Sequence, residues 1–112
     1  LKSRQTKAKN FTPEVQKDII RRDSGCIFCN SDRWPINDEY GKKIHDIAHI
    51  VNKSQGGLGI EENGVETCRV HHQELDNGNK GWRSQMQQYI ESYMQQLYTG
   101  WSREQLIYRK ET

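Results

Sequence analysis

Two residue pairs at one spacing constrain this chain more than any other feature: Cys26-x2-Cys29 and, well downstream, Cys68-x2-His71. Zinc favours four tetrahedral thiolate and imidazole donors, and two such pairs brought together make a closed Cys3His site. Cys26, Cys29, Cys68 and His71 are therefore expected to hold structural Zn2+. The adjacent His72 leaves open which histidine is the fourth ligand. Read instead as free thiols buried in a core, the same residues leave the shared spacing unexplained. A metal also answers a physical need. Only 32% of the 112 residues are hydrophobic and mean hydropathy is −1.07. Chains this small and polar commonly rely on a metal, disulfides or a partner. Three cysteines cannot all pair and no signal peptide precedes them, so a secreted disulfide scaffold is not expected. No apolar run approaches the roughly 18–20 residues of a membrane span. The expectation is a soluble, cytoplasmic protein with no membrane partner.

The length suggests one domain with terminal extensions. Net charge is only +2, but its distribution is uneven, because Lys2, Arg4, Lys7 and Lys9 fall in the first ten residues with no acid among them. Residues 1–10 read equally as a phosphate-contacting arm or a solubilising terminus, and residues 11–112 as the domain.

Thr12-Pro13-Glu14 is a helix start, with a capping hydroxyl, proline at the first helical position and an acid facing the helix dipole. The helix should end at Ser24-Gly25 and deliver a tight turn at Cys26–Cys29. Residues 30–42, with Pro35, Asn37, Asp38 and Gly41, read as an irregular loop. Residues 43–51 are strand-like, 52–59 form a glycine-rich loop, and 65–68 form a second strand. A helix is expected from His71 to about Leu75. After a break at 76–81, Met86, Tyr89, Ile90, Tyr93, Met94 and Leu97 recur at helical spacing over 83–98. That stripe reads as packing or a dimer seam. A last short helix is expected over 103–107.

The stretch 45–72 holds all four histidines and suggests a second metal chemistry interleaved with the first. Its run AHIVNKSQGG, then Asn63, then CRVHH resembles the HNH (ββα-metal) nuclease family, whose pattern is a histidine before a Gly-Gly loop, a central asparagine and a terminal Cys-x-x-Cys-His. The motif covers residues 26–77. The segment from Leu75 to Gly78 and the run YMQQLYTGWSREQLIYRK are similar to small phage and prophage members. The resemblance implies an α+β fold, with a ββα-metal core, a short two-stranded antiparallel hairpin, flanking helices and a structural zinc site. It places His49 at the general base, Asn63 at the central asparagine and His72 at the terminal metal ligand. It further implies DNA as substrate, a catalytic Mg2+, Mn2+ or other divalent ion, and, by analogy, phage terminase or packaging proteins as partners in a phage-infected or prophage-bearing host.

The chemistry of the residues agrees. A neutral imidazole can take a proton from water near neutral pH, and a divalent ion can stabilise charge on a phosphodiester. Asn63 would tie the loop so that His49 points correctly. Two positions depart from the family pattern. Ala48 stands where the family has a metal ligand, and Asp46, on the same face of an extended strand, is the expected substitute. His45 competes but falls on the other face. His71 replaces the fourth cysteine, a conservative exchange for zinc. The chain is thus expected to be a metal-dependent DNA endonuclease. A zinc-stabilised nucleic-acid-binding module without catalysis is the alternative. A zinc scaffold recruiting a protein partner through the Met/Tyr helix ranks last. Arg21, Arg22, Lys53, Arg69, Lys80 and Arg83 are the expected phosphate contacts.

Overall fold

Local capping sets the first helix of the computed structural model, which describes residues 8–108. Lys2, Arg4 and Lys7 of the expected arm, and the polar tail from Arg109, lie outside the described residues. Helix α1 spans Pro13–Asp23. The Thr12 hydroxyl accepts from the Val15 N–H at 3.2 Å, and the helix stops on Ser24 in the left-handed region (φ 52°). Its last turn is bound into the rest of the molecule. Arg22 donates to the carbonyls of Glu61 (2.8 Å) and Gly64 (2.6 Å), and Asp23 accepts from the Glu66 N–H (2.8 Å) and the Tyr93 hydroxyl (2.5 Å). Arg22 is therefore not the free phosphate contact expected; its side chain is only 10% exposed and its cation is consumed by this network.

Helix α2 spans Ile27–Ser31 and helix α3 spans Glu39–Lys43. The expected tight turn at Cys26–Cys29 and irregular loop over 30–42 are corrected accordingly. The Asp38 carboxylate caps α3 by accepting from the Gly41 N–H at 2.8 Å. Gly41 is not a turn residue. A Cβ there would lie 2.5 Å from the Val70 side chain, so glycine lets α3 approach the helix beyond the hairpin.

Strands β1 (His45–His49) and β2 (Gly64–Cys68) pair antiparallel, with His45 opposite Cys68 and His49 opposite Gly64. Helix α4 (Arg69–Asn77) leaves β2 directly, longer than the expected 71–75, because Cys68 itself caps it. Buried Glu74 accepts from the N–H groups of Lys80 and Trp82 at 2.9 Å each, holding the turn into helix α5 (Arg83–Leu97). Met86, Ile90 and Met94 of α5 are buried, and Tyr89 packs on Trp34 and Phe28 with ring centroids 5.4 and 6.0 Å away. The Met/Tyr stripe thus faces this chain's own core. Burial of each large side chain contributes about 1.5–3 kcal/mol. The expected helix over 103–107 is a 3-10 turn, Arg103–Leu106, ending where Ile107 bridges Gly57.

The result is a small α+β fold, a two-stranded antiparallel hairpin clasped by helices. Among the described residues no helix is long and apolar enough to cross a membrane.

Candidate functional site

The two x2 pairs converge. Cys26 is the N-cap of α2 and Cys68 the N-cap of α4, and each sulfur accepts the backbone N–H three residues on, from Cys29 (3.4 Å) and His71 (3.5 Å). The spacing is thereby explained: each pair is a capped first helical turn, with the second ligand on the residue whose N–H the first one caps. The four donor atoms lie within 4.8 Å of one another. His71 Nδ1 lies 3.6, 3.6 and 3.3 Å from the sulfurs of Cys26, Cys29 and Cys68, and the Cys29 and Cys68 sulfurs are 3.8 Å apart. Tetrahedral metal–sulfur bonds of about 2.3 Å place donors about 3.8 Å apart. Cys26, Cys29, Cys68 and His71 are positioned to bind a metal ion, and the donor set suits zinc.

The opposite side of the His71 ring fixes its tautomer. Nε2 donates to the Trp34 carbonyl at 2.8 Å, since a carbonyl only accepts, and this leaves the Nδ1 lone pair facing the sulfurs. A metal-free cluster would have to share protons. Hydrogen bonding from Cys26 holds the Cys68 thiol well below its ordinary range, while that same contact, with burial, pushes Cys26 up.

His72 faces elsewhere. Its Nδ1 lies 3.0 Å from Asp46 Oδ2, and its Nε2 is 4.0 Å from the Asp76 carboxylate one turn on. The fold brings the Asp46 carboxylate of β1 to His72 of α4. Arg69 also grips Asp46 through two hydrogen bonds (2.8 and 3.0 Å) and, as the largest cause, holds that carboxyl below its ordinary range. His45 is directed away, with Nδ1 2.6 Å from Glu66 and Nε2 3.1 Å from the Lys42 carbonyl. Both ring nitrogens meet acceptors, and the Glu66 hydrogen bond chiefly raises the pKa of His45. His45 is thus an ion-pair partner of Glu66.

His49 ends β1, half-buried. Its ring lies against Phe11, centroids 4.2 Å apart, and Nε2 donates to the Lys9 carbonyl at 2.8 Å. Burial is the main cause lowering its pKa, which the Lys9 carbonyl opposes and the charges of Lys53 and His72 reinforce. Asn63 is fully buried. Its Oδ1 accepts from the Val51 N–H (2.8 Å), and its Nδ2 donates to the carbonyls of Val51 (3.1 Å) and Leu58 (2.7 Å). One side chain thus closes the glycine-rich loop directly after His49.

A cleft of about 380 Å³ opens between the end of β1, α4 and α5. His49, His72 and Asp76 line it with three cations, Lys53, Arg83 and Arg103. Asp46 lies behind His72 rather than on the cleft wall. Asp76 and Arg103 are residues that sequence reasoning missed. Asp76 had a signal, the four-residue spacing from His72 on a helix, but it sat in what read as a breaker run. Arg103 had none, since the return of the C-terminal segment to the cleft depends on the Gly57–Ile107 bridge.

No family model matches the chain, and neither does any curated protein or solved structure.

Proposed function

We propose that this chain is a metal-dependent DNA endonuclease of the HNH (ββα-metal) type. The observation that carries the reading is that one cationic cleft holds both His49, with its proton fixed on Nε2, and His72, flanked by two carboxylates. On this reading His49 accepts the proton of the attacking water at Nδ1, the nitrogen left without a proton. Burial favours the neutral imidazole that a base must be. Lys53, Arg83 and Arg103 bind phosphate oxygens and orient the backbone. Asn63 keeps the glycine loop closed so that His49 stays aimed at the cleft.

Asp46 and His72 are the residues that would hold a catalytic Mg2+, Mn2+ or similar ion. Their separation of 3.0 Å, a hydrogen bond in the structure, is also the edge of an octahedron with bonds of about 2.1 Å. Asp76 adds a carboxylate on the cleft side, 4.0 Å from the other ring nitrogen of His72. A bound ion there would supply charge stabilisation for the phosphate and the leaving oxygen. Zinc at Cys26, Cys29, Cys68 and His71 is structural in this reading, because all four positions are filled by protein donors. A cytoplasmic setting and a role beside phage terminase proteins follow from the family resemblance alone.

A second reading, a zinc-stabilised nucleic-acid-binding module without catalysis, is favoured by one observation. Ala48 offers no donor, and Asp46 is already neutralised by Arg69. Supercoiled-plasmid cleavage with Mg2+, Mn2+ or Ni2+ separates the two. Metal-dependent nicking or linearisation lost in His49→Ala supports the nuclease. Folded, zinc-loaded wild type that binds DNA but cuts it in no metal supports the binding module.

A further inference from the structure

A conformation-setting contact reaches His49 from far along the chain. Lys9 lies forty positions before it, yet its carbonyl is the acceptor for His49 Nε2. We infer, on the footing of the nuclease reading, that residues 8–11 form a strap belonging to the active site, in which the Lys9 carbonyl is the positioning group that fixes His49 as a base.

The strap is seated at several points. The Gly59 N–H donates to the Ala8 carbonyl at 2.8 Å, and Lys53 Nζ donates to Asn10 Oδ1 at 2.8 Å. The Phe11 ring lies against the imidazole itself. Two glycines make room for this seat. A Cβ on Gly59 would fall 2.2 Å from the Asn10 carbonyl oxygen and 2.3 Å from its carbon. One on Gly64 would fall 2.8 Å from the Phe11 ring. Backbone atoms cannot be approached so closely by any side chain, so glycine at 59 is what allows the strap to lie down.

The chemical consequence is specific. A neutral imidazole carries its proton on either nitrogen, and only one arrangement leaves the working lone pair facing substrate. The Lys9 carbonyl can only accept, so it selects the Nε2–H form. Nδ1 then accepts no hydrogen bond from any described residue, and His49 lines the cleft. The Phe11 ring limits rotation of the imidazole about its side-chain bonds. This is a hydrogen-bonded orienter of a general base, supplied by main chain rather than by a carboxylate.

The test is made on the full zinc-loaded chain. The His49 tautomer is read by long-range 15N–1H NMR, and metal-dependent plasmid cleavage is measured beside it. Wild type should show His49 protonated on Nε2 alone. Gly59→Ala, which forces the strap off its seat, should give mixed tautomers and lower kcat by about tenfold or more, with KM for DNA and zinc content little changed. Phe11→Ala leaves Gly59 intact and should move both readouts the same way, which covers a Gly59→Ala chain that fails to fold. Wild type that cuts DNA with His49 protonated on Nδ1 overturns the strap alone. So do variants with a displaced tautomer and wild-type kcat. Wild type with the Nε2–H form that cuts no DNA overturns the nuclease reading, and the strap's catalytic purpose with it.

Discussion

His71 and His72 are consecutive residues on one helix, and their Nδ1 atoms face different chemistries: three cysteine sulfurs at 3.3–3.6 Å for the first, the Asp46 carboxylate at 3.0 Å for the second. Adjacent positions on a helix point about 100° apart, so one turn of α4 serves the metal cluster on one side and the cleft on the other. The exchange of roles that the sequence left open is resolved by the Trp34 carbonyl, which turns the Nδ1 of His71 toward the sulfurs.

From this division, loss of the cluster should be a stability event. Cys29→Ser is expected to abolish stoichiometric zinc and to lower the melting midpoint by about 10 °C or more, since structural zinc binding is folding free energy. His72→Ala should leave both unchanged. Metal analysis beside calorimetry checks it, and an unaltered midpoint in Cys29→Ser would remove the structural role.

On the proposed nuclease reading, His49 as the base should show itself in the pH profile. The His49 pKa is lowered, chiefly by burial, and a base works only when unprotonated. Activity should therefore fall on the acid side only below the ordinary histidine value of about 6.5. His49→Ala should reduce single-turnover cleavage by about 10²–10⁴-fold while zinc content holds. An acid limb well above pH 6.5 that persists in the variant would assign the proton transfer to another group.

The divalent-ion requirement should distinguish three carboxylate and imidazole groups. Asp46→Ala is expected to raise the Mg2+ or Mn2+ concentration for half-maximal cleavage by about 10–100-fold, and Asp76→Ala to raise it as well. His45→Gln should not, because His45 is bound to Glu66 and Lys42. The reverse order, His45 sensitive and Asp46 silent, would move the ion to the other face of β1.

Asn63→Ala strips three hydrogen bonds from the backbone of the glycine loop, two of them buried at Val51. The loss should be about 3 kcal/mol in urea unfolding, because the Val51 amide is left without a partner. A change below about 1 kcal/mol would show that the loop closes by other means.

What the sequence made legible was whatever is decided locally. The Thr12 cap and Pro13 act over one turn, the two x2 pairs act over another, and Met86, Ile90 and Met94 recur on one helical face. Residues 30–42 were misread because Asp38 and Gly41 have turn chemistry. Here the aspartate caps a helix, and the glycine admits the Val70 side chain, a tertiary contact with no local signature. Main-chain acceptors were the deeper omission. The carbonyls of Trp34 and Lys9 set the tautomers of His71 and His49, and every residue has a carbonyl, so nothing in the letters marks those two. Asp46 lay between: alternation put it on the expected face of β1, but its contact with His72 depends on how α4 packs against the hairpin.

The glycine loop is also held from the C-terminal side, where the Leu58 N–H donates to the Leu106 carbonyl and the Tyr108 N–H to that of Gly56. In order of synthesis this is a late clasp. The hairpin, α4 and the residues Cys26, Cys29, Cys68 and His71 are synthesised before α5, whereas this clasp waits for residues made half the described chain after the loop. All four donors of the Cys3His group are therefore made before the α5 and Arg103 side of the cleft. The scaffold is thus made first, and the C-terminal side of the glycine loop is clasped last.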